Sequence, residues 1–296
     1  MKKYIYLLAI IAVIAACKHP KDPEPVVIDP KGGYNEGVPE PEKPTVQLKQ
    51  LIARDIQGGN GSLDYFISFT YNVDGFVETV NVVVNNSTGE KISKTINTLV
   101  YESKTKLIKS DYTTVSFNSD PSKNDTTWVT TSVVYDIDKI TLKKVTTRTA
   151  HGAGMPTATY EDKEKDFIYL NLDDKNRMIK WWTSQGQSQE FEYNEKGNYI
   201  KTLTLSKYEN TTYYFLYDDN INILSKIIPC SFYRRVANFS LPFWGDVLSS
   251  CNNNPIAVNI SDKNQNGFVY TYEYNSQGYP TKRSSIIDPM TLEYIY

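Results

Sequence analysis

The chain has 296 residues and a formal net charge of −2 at pH 7. This slightly acidic balance argues against a nucleic-acid-binding protein, which needs a basic surface. The 23 tyrosines, with many threonines, valines and isoleucines, favour β-strands, and clusters of Asn and Gly supply turns. Helical periodicity is not evident beyond residue 45, so the sequence predicts an all-β fold.

Residues 1–16 have the pattern of a secretory signal peptide. Lys2 and Lys3 precede an apolar run that ends at residue 16 and is too short to span a bilayer as a helix. The run leads into the sequence Ile-Ala-Ala-Cys17, which resembles the bacterial lipobox. The resemblance implies cleavage before Cys17 and attachment of fatty acyl chains such as palmitate to this cysteine. An ordinary secretory signal followed by a chance cysteine is the alternative.

Residues 17–45 are predicted to form a disordered tether. They contain many prolines and charges but few apolar residues, so they cannot bury a core. Lys18 follows Cys17, where an inner-membrane retention signal would have aspartate, and we therefore expect an outer-membrane lipoprotein. The sequence leaves open whether the protein faces the periplasm or the cell surface.

Residues 46–296 have the pattern of antiparallel hairpins. In YTYEYNSQGYPTK, residues 270–282, alternate tyrosines share one strand face. Asn275 to Gly278 predict a type I turn, with Gly278 in the left-handed conformation and a bulge where the next strand begins. Pro280 has no ladder donor, so we expect it at the bulge or at an edge.

The same order of tyrosine, Asn or Asp, and a left-handed residue recurs along the chain. Two copies end in Gly75 and Gly197, and a third has Asn176 in the left-handed position. A further copy is predicted after Tyr217, where Ile221 replaces the glycine. These units predict a meander that forms a strongly curved sheet or a partly closed barrel, with one short helix or loop insertion.

Turns of this kind, spaced by roughly 20 residues, resemble the tyrosine-aspartate repeats of Rhs-type proteins. The C-terminal YTYEYNSQGYPTK, preceded by LPFWGDVLSSCNNNPI, is similar to a family of Bacteroides lipoproteins of unknown function. The resemblance covers mainly residues 165–296 and more weakly residues 60–150. It implies a curved, porin-like antiparallel sheet and brings no established activity.

Residues 229–258 interrupt the strand pattern. Cys230 and Cys251 flank an aromatic segment that contains Tyr233 and Trp244. Because an exported protein meets an oxidising compartment, a disulfide between the two cysteines is predicted, with two buried thiols as the alternative. The segment is either a plug for one end of the sheet or a ligand or partner surface, and one segment can serve both purposes.

Trp181 and Trp182 are adjacent in a predicted strand, so their side chains should lie on opposite faces. One of them then belongs to the core and the other can stack on a sugar ring. Packing of both rings on a two-faced sheet is the alternative.

The chain has no G-x-S-x-G, H-E-x-x-H or phosphate-loop motif, and His151 is the only histidine of the predicted domain. Turn geometry accounts for the Asp and Asn residues of the hairpins without calcium. We therefore predict a non-enzymatic protein with no catalytic residues, cofactor or bound metal.

The predicted function is a lipid-anchored binding or scaffold protein of the cell envelope, associated with the membrane through Cys17 and with a polysaccharide or an envelope protein. A glycan-binding surface lipoprotein is one alternative, and its speculative ligand residues are Trp181, Trp182, Tyr233 and Trp244. A carbohydrate-active hydrolase is another. It would need two carboxylates about 5–10 Å apart, and the sequence selects no pair.

Overall fold

The described part of the chain is almost entirely β-structure. The computed structural model describes residues 44–58, 61–103, 106–136, 139–150, 158–162, 167–206, 210–228, 251–260, 267–285 and 290–296. The strands are β1 (Gln50–Gly58), β2 (Gly61–Tyr71), β3 (Val77–Asn86), β4 (Lys91–Tyr101), β5 (Leu107–Ser116), β6 (Asp125–Tyr135), β7 (Ile140–Ala150), β8 (Ala158–Asp162), β9 (Ile168–Leu172), β10 (Met178–Thr183), β11 (Ser188–Tyr193), β12 (Tyr199–Leu205), β13 (Asn210–Ile221), β14 (Asn253–Ile260), β15 (Phe268–Tyr274), β16 (Pro280–Ser285) and β17 (Thr291–Ile295). A 3-10 turn, Pro121–Lys123, and one α-helix, α1 (Ile223–Ile227), complete these ranges.

The sheet closes into a barrel, which is a stronger result than the curved or partly closed sheet expected from the sequence. Successive strands pair antiparallel, and β1 pairs with both β2 and β17. β8 and β9 pair with opposite ends of β7 and together occupy one position, so the 17 strands form a 16-strand barrel. Among the described strands, closure leaves no long edge open to a second chain.

Much of the inner wall of the barrel is apolar. In β3, Val80, Val82 and Val84 are buried, while Thr79 and Asn81 on the other face are partly exposed. In β17, Leu292 and Tyr294 are buried and Glu293 between them points outward. Period-two alternation therefore sends apolar side chains to the inside of the closed sheet, where they form one contiguous core.

The outer wall carries ion pairs between neighbouring strands, together with exposed apolar side chains such as Ile96, Val145 and Leu216. Lys180 of β10 lies 2.7 Å from Glu190 of β11, and Lys201 of β12 lies 2.8 Å from Glu192. Arg54 on β1 contacts carboxylates of both neighbouring strands, β2 and β17. These ion pairs link β1 to both of its neighbours and β11 to β10 and β12 on the outer wall.

The two ends of the barrel differ. We call the end with the turns at residues 72–76, 173–177, 194–198 and 275–279 the tyrosine-turn end, and the end with the turns at residues 86–90 and 183–187 the far end. The β1 strand begins at the tyrosine-turn end, where the hydroxyl of Tyr71 donates to the Leu48 carbonyl. The chain therefore enters the barrel at this end.

The predicted turn chemistry is confirmed at the tyrosine-turn end. Asn275 Oδ1 accepts from the backbone N–H groups of Gln277 and Tyr279, both at 3.0 Å, and Gly278 has φ 82°. Pro280 pairs with Tyr274 across a bulge, as expected. Gly75 and Gly197 have φ 84° and 80°, and Asn176 takes the left-handed position with φ 59°.

The tyrosines that end the strands have a second role that the sequence analysis missed. Five of them donate from the hydroxyl to the backbone carbonyl near the start of the preceding strand, which clamps successive hairpins together. The pairs are Tyr71 to Leu48, Tyr101 to Val77, Tyr135 to Leu107, Tyr193 to Met178 and Tyr296 to Pro280, at 2.5–2.9 Å. Repetition of this bond explains why the tyrosine recurs at the same place in the hairpins.

The predicted hairpin after Tyr217 is wrong. β13 continues to Ile221, because the residue in the left-handed position of the other turns is not a glycine here. The helix α1 follows, with Asn222 as its N-cap and Ile223, Leu224 and Ile227 buried in the core. Residues 253–258, assigned to the insertion from the sequence, lie in β14.

Candidate functional site

Several predicted site residues lie outside the described residues: Cys17, Cys230, Tyr233 and Trp244. The signal peptide and nearly all of the tether also fall there. Cys251 is buried, with its Sγ 3.2 Å from the Tyr217 hydroxyl and 3.5 Å from the backbone nitrogen of Tyr199, which donates to it. The disulfide between Cys230 and Cys251 remains a prediction.

The side chains of the two adjacent tryptophans lie on opposite faces of β10, as strand alternation predicts. Trp181 points inward, is 7% exposed, and donates from its indole nitrogen to Gln189 Oε1 at 2.9 Å. Trp182 is half-buried on the outer wall. Trp181 is thus a core residue, and Trp182 is the member of the pair that a ligand can reach.

Trp182 lines a groove of about 440 Å³ on the outer wall at the far end. The groove crosses β9, β10 and the turn between β10 and β11. The residues that line it are Asn171, Lys180, Trp182, Thr183, Gly186, Gln187 and Ser188. One large aromatic ring surrounded by amide, hydroxyl and ammonium groups is a combination typical of a site for a polar ligand with an apolar face.

The sheet register fixes the aromatic part of the groove. Trp182 lies directly opposite Tyr169 of β9, and the rings stack with centroids 5.4 Å apart and an interplanar angle of 27°. The Lys139 ammonium lies 5.3 Å from the centre of the Tyr169 ring. These contacts hold Trp182 in one orientation, so its ring is a pre-organised surface.

The turn beside the groove leaves space above the backbone. Gly186 has φ 82° and closes the turn by donating to the Thr183 carbonyl at 3.1 Å. A Cβ added at Gly186 would meet no atom within 4 Å. The far-end rim of the groove is therefore open to a ligand.

The sequence analysis missed a further tryptophan on the outer wall. Trp128 of β6 is 43% exposed and lies opposite Thr113 and Thr147 of the neighbouring strands. Its signal was present, because Trp128 shares its strand face with Thr126 and Thr130 in the sequence DTTWVTT. Trp128 does not line the groove at Trp182, and it provides a useful control.

A second pocket, of about 340 Å³, lies on the inner wall toward the far end. The residues that line it are Tyr112, Thr114, Thr127, Val129, Lys144, Thr146 and Arg148. Deeper in the barrel, Ser110 donates to Asn97 Oδ1 at 2.8 Å, and both residues are fully buried. The interior thus changes from apolar at the tyrosine-turn end to polar at the far end.

Asparagines organise the opposite, tyrosine-turn end. Asn253 accepts from the Asn198 side chain at 2.8 Å, and Asn254 donates to the Ile221 carbonyl at 3.3 Å. Asp218 accepts from the Tyr274 hydroxyl and from the backbone nitrogen of Asn254. Burial raises the pKa of Tyr274 above its usual value, and the bond to Asp218 adds to the shift. This network satisfies strand ends and is structural.

The turn carboxylates are engaged by the protein. Asp173 Oδ1 accepts from the backbone nitrogens of Lys175 and Arg177, while Oδ2 lies 2.6 Å from Arg177 Nη2. The hydrogen bond from Lys196 holds the pKa of Asp219 below its usual value. Within the described ranges, no group of three His, Cys, Asp or Glu side chains has an arrangement that would hold a metal ion.

Comparison with solved structures finds two porin-like proteins from Bacteroides. The crystal structure of the protein from Bacteroides vulgatus ATCC 8482 is 11% identical, with 84% of this chain and 99% of that chain covered and a TM-score of 0.35. The protein from Bacteroides uniformis ATCC 8492 is 10% identical, with 87% and 99% covered and a TM-score of 0.38. No family model and no curated protein matches the chain. Similarity at this level transfers no function.

Proposed function

We propose that the protein is a non-enzymatic binding protein of the outer membrane, anchored by lipid on Cys17, with its barrel standing in water. The polarity of the two walls supports this proposal. A membrane-spanning barrel presents an apolar band outward and a polar lumen inward. In this barrel the buried apolar side chains form one core on the inside, and charged residues such as Lys180, Glu190 and Glu293 form cross-strand ion pairs on the outside. In the described part of the chain, no helix is long and apolar enough to cross a bilayer.

The position of the groove fits an anchored binding protein. The chain enters the barrel at the tyrosine-turn end, where the backbone N–H of Lys49 donates to the Ile295 carbonyl at 2.7 Å. Trp182 and the turn at residues 183–187 lie at the far end. The predicted tether therefore joins the barrel at the end opposite the groove.

We propose carbohydrate as the ligand of the groove. The observation that carries this proposal is the Trp182 ring, held against Tyr169 with amide and hydroxyl groups beside it. The C–H face of a sugar ring is apolar and packs on an indole, while its hydroxyls can pair with Asn171, Gln187 and Ser188. Such a site gives orientation through a few polar contacts and affinity through the buried aromatic surface.

The test is binding of the purified mature chain to a panel of polysaccharides, followed by tryptophan fluorescence. We expect saturable binding, with Trp182→Ala weakening it by about tenfold to a hundredfold, as for a buried aromatic anchor. Trp128→Ala is the matched control, because it removes an exposed tryptophan from the same outer wall, and we expect it to leave affinity unchanged. Equal affinity of the Trp182→Ala variant and the wild type, or no binding across the panel, would contradict the proposal.

An envelope protein as partner is the second candidate, supported by a different part of the outer wall. Leu216 and Tyr214 of β13 are 56% and 44% exposed, next to each other on the same face. Paired exposed apolar side chains are typical of a protein contact. Crosslinking in cells from a photoreactive residue at position 214 would test it. The same crosslinked species with Leu216 and with Leu216→Glu would argue against this contact.

A further inference from the structure

The barrel interior contains a fully buried arginine. Arg283 of β16 is 1% exposed and lies between Tyr272 of β15 and Leu292 of β17, directly opposite both. Its guanidinium carbon lies 4.6 Å from the centre of the Tyr270 ring. Arg283 is therefore a permanent positive charge in the apolar, tyrosine-rich part of the core.

The charge of Arg283 is not compensated within the described residues. Neither Nη1 nor Nη2 has a hydrogen-bond partner there, and both atoms are shielded from solvent. None of the ion pairs among these residues includes Arg283. Tyr272 is a polar neighbour, and its hydroxyl donates to the Pro255 carbonyl at 3.0 Å. Burial raises the pKa of this tyrosine while Arg283 acts to lower it, but the neutral phenol supplies no compensating charge.

The Tyr270 ring offers only part of the missing compensation. A cation over an aromatic face gains some electrostatic attraction, but the ring accepts no hydrogen bond from the ends of the guanidinium fork. A buried charge without its hydrogen bonds is strongly destabilising, and buried arginines in proteins are normally paired. A further acceptor is therefore expected at Nη1 and Nη2.

We propose that Arg283 anchors a binding site inside the barrel for a small ligand that carries a carboxylate or phosphate group. Both groups present two oxygens in the geometry that the guanidinium fork matches. The Tyr270 and Tyr294 rings beside Arg283 would enclose the rest of the ligand in an aromatic wall. This inner site is independent of the outer groove at Trp182.

The experiment compares the unfolding midpoint of the full mature chain in chloride, acetate and inorganic phosphate at constant ionic strength. Each anion is added either before refolding or to the folded protein, because Arg283 is enclosed. Phosphate stabilises proteins in general by exclusion from their surface. The specific signal is therefore the saturable difference between the wild type and Arg283→Met, with Lys282→Met as the control for removing an outward cation from the same strand.

We expect the wild type and Lys282→Met to share a midpoint that rises with the logarithm of acetate or phosphate concentration, as ligand linkage requires. Arg283→Met should lose this specific rise and be at least as stable as the wild type in chloride, because it removes an unpaired buried charge. Arg283→Lys keeps the charge without the fork, and we expect at least about tenfold weaker anion binding. A response to only one anion identifies the group that binds.

Two results would overturn the proposal. One is that the unfolding midpoints of the wild type and of Arg283→Met depend on anion concentration in the same way, under both orders of addition. The other is an Arg283→Met variant that folds and still binds acetate or phosphate with the wild-type affinity. Should Arg283→Met fail to fold, the comparison between the wild type and Arg283→Lys decides in the same way.

Discussion

The two ends of this barrel are built from the same kind of hairpin and have different roles. At the tyrosine-turn end, Tyr193 and its equivalents clamp successive hairpins, and α1 fills the interior with Leu224. At the far end, the turn at residues 183–187 has an empty space above Gly186 and borders the groove of Trp182. Stability is thus concentrated at the end where the chain enters, and an accessible surface is left at the other.

Alkaline pH should have the largest effect on stability, because it acts on the buried tyrosines. Burial raises the pKa of Tyr193, Tyr272 and Tyr294 in the folded state, whereas an exposed tyrosine ionises near pH 10. The unfolded state then loses protons that the folded state retains, so stability is complete below pH 10 and falls as the pH rises above it. Above pH 10, each such tyrosine lowers the free energy of unfolding by about 1.4 kcal/mol for each further pH unit. Urea denaturation between pH 8 and 11.5 checks this, and tyrosinate absorbance near pH 10 with an unchanged denaturation midpoint would contradict it.

Among single substitutions, shortening a buried side chain of α1 should lower the stability of the protein the most. Leu224 is fully buried, so Leu224→Ala should lower the free energy of unfolding by about 3 kcal/mol. Leu216→Ala removes the same atoms from a side chain that is 56% exposed and should cost less than about 1 kcal/mol. Equal losses in urea denaturation would show that α1 is not part of the core.

A pair of glycines compares the two ends directly. A Cβ at Gly197 would lie 2.7 Å from Asn252 Nδ2, which donates to the Lys196 carbonyl, while a Cβ at Gly186 would meet nothing. Both substitutions to alanine carry the left-handed strain, about 1 kcal/mol, and Gly197→Ala also disturbs the hydrogen bond, for a total of about 2 kcal/mol. Chemical denaturation of both variants measures the difference. A larger loss for Gly186→Ala would reverse the assignment of the two ends.

Removing one of the tyrosine hydroxyls that clamp the hairpins should have the smallest effect on the free energy of unfolding. Tyr193→Phe deletes the hydroxyl that donates to the Met178 carbonyl at 2.9 Å, and we expect a loss of about 1 kcal/mol. Tyr214→Phe removes a hydroxyl from a side chain that is 44% exposed and should be neutral. If both variants unfold at the same urea concentration as the wild type, the clamp contributes nothing to stability.

The sequence predicts those features of the fold that depend on neighbouring residues. Gly278 and Asn176 were identified because a left-handed turn position selects glycine or asparagine, and Trp181 and Trp182 were separated because strand positions alternate. The hairpin expected at Tyr217 failed because the strand continues there to pair with a distant segment. That pairing is a long-range contact that local patterns do not contain.

The sites were harder to predict for the same physical reason. Arg283 lies between Lys282 and Ser284, so polarity gives no sign of which face is buried. The groove depends on the register that sets Tyr169 opposite Trp182, and no local motif encodes that register. Closure of the sheet likewise depends on β1 meeting β17 across the whole length of the domain.

The most direct test of a barrel that stands in water is trypsin treatment of isolated membranes, followed by ultracentrifugation. The predicted tether carries lysines at positions 18, 21, 31 and 43, so cleavage there separates the anchor from the barrel. Because Lys43 precedes a proline and resists trypsin, cleavage is expected after Lys31. We predict that a folded, β-rich fragment beginning near residue 32 appears in the supernatant without detergent. A fragment that stays with the membrane after the tether is cut would contradict a water-facing barrel held only by its anchor.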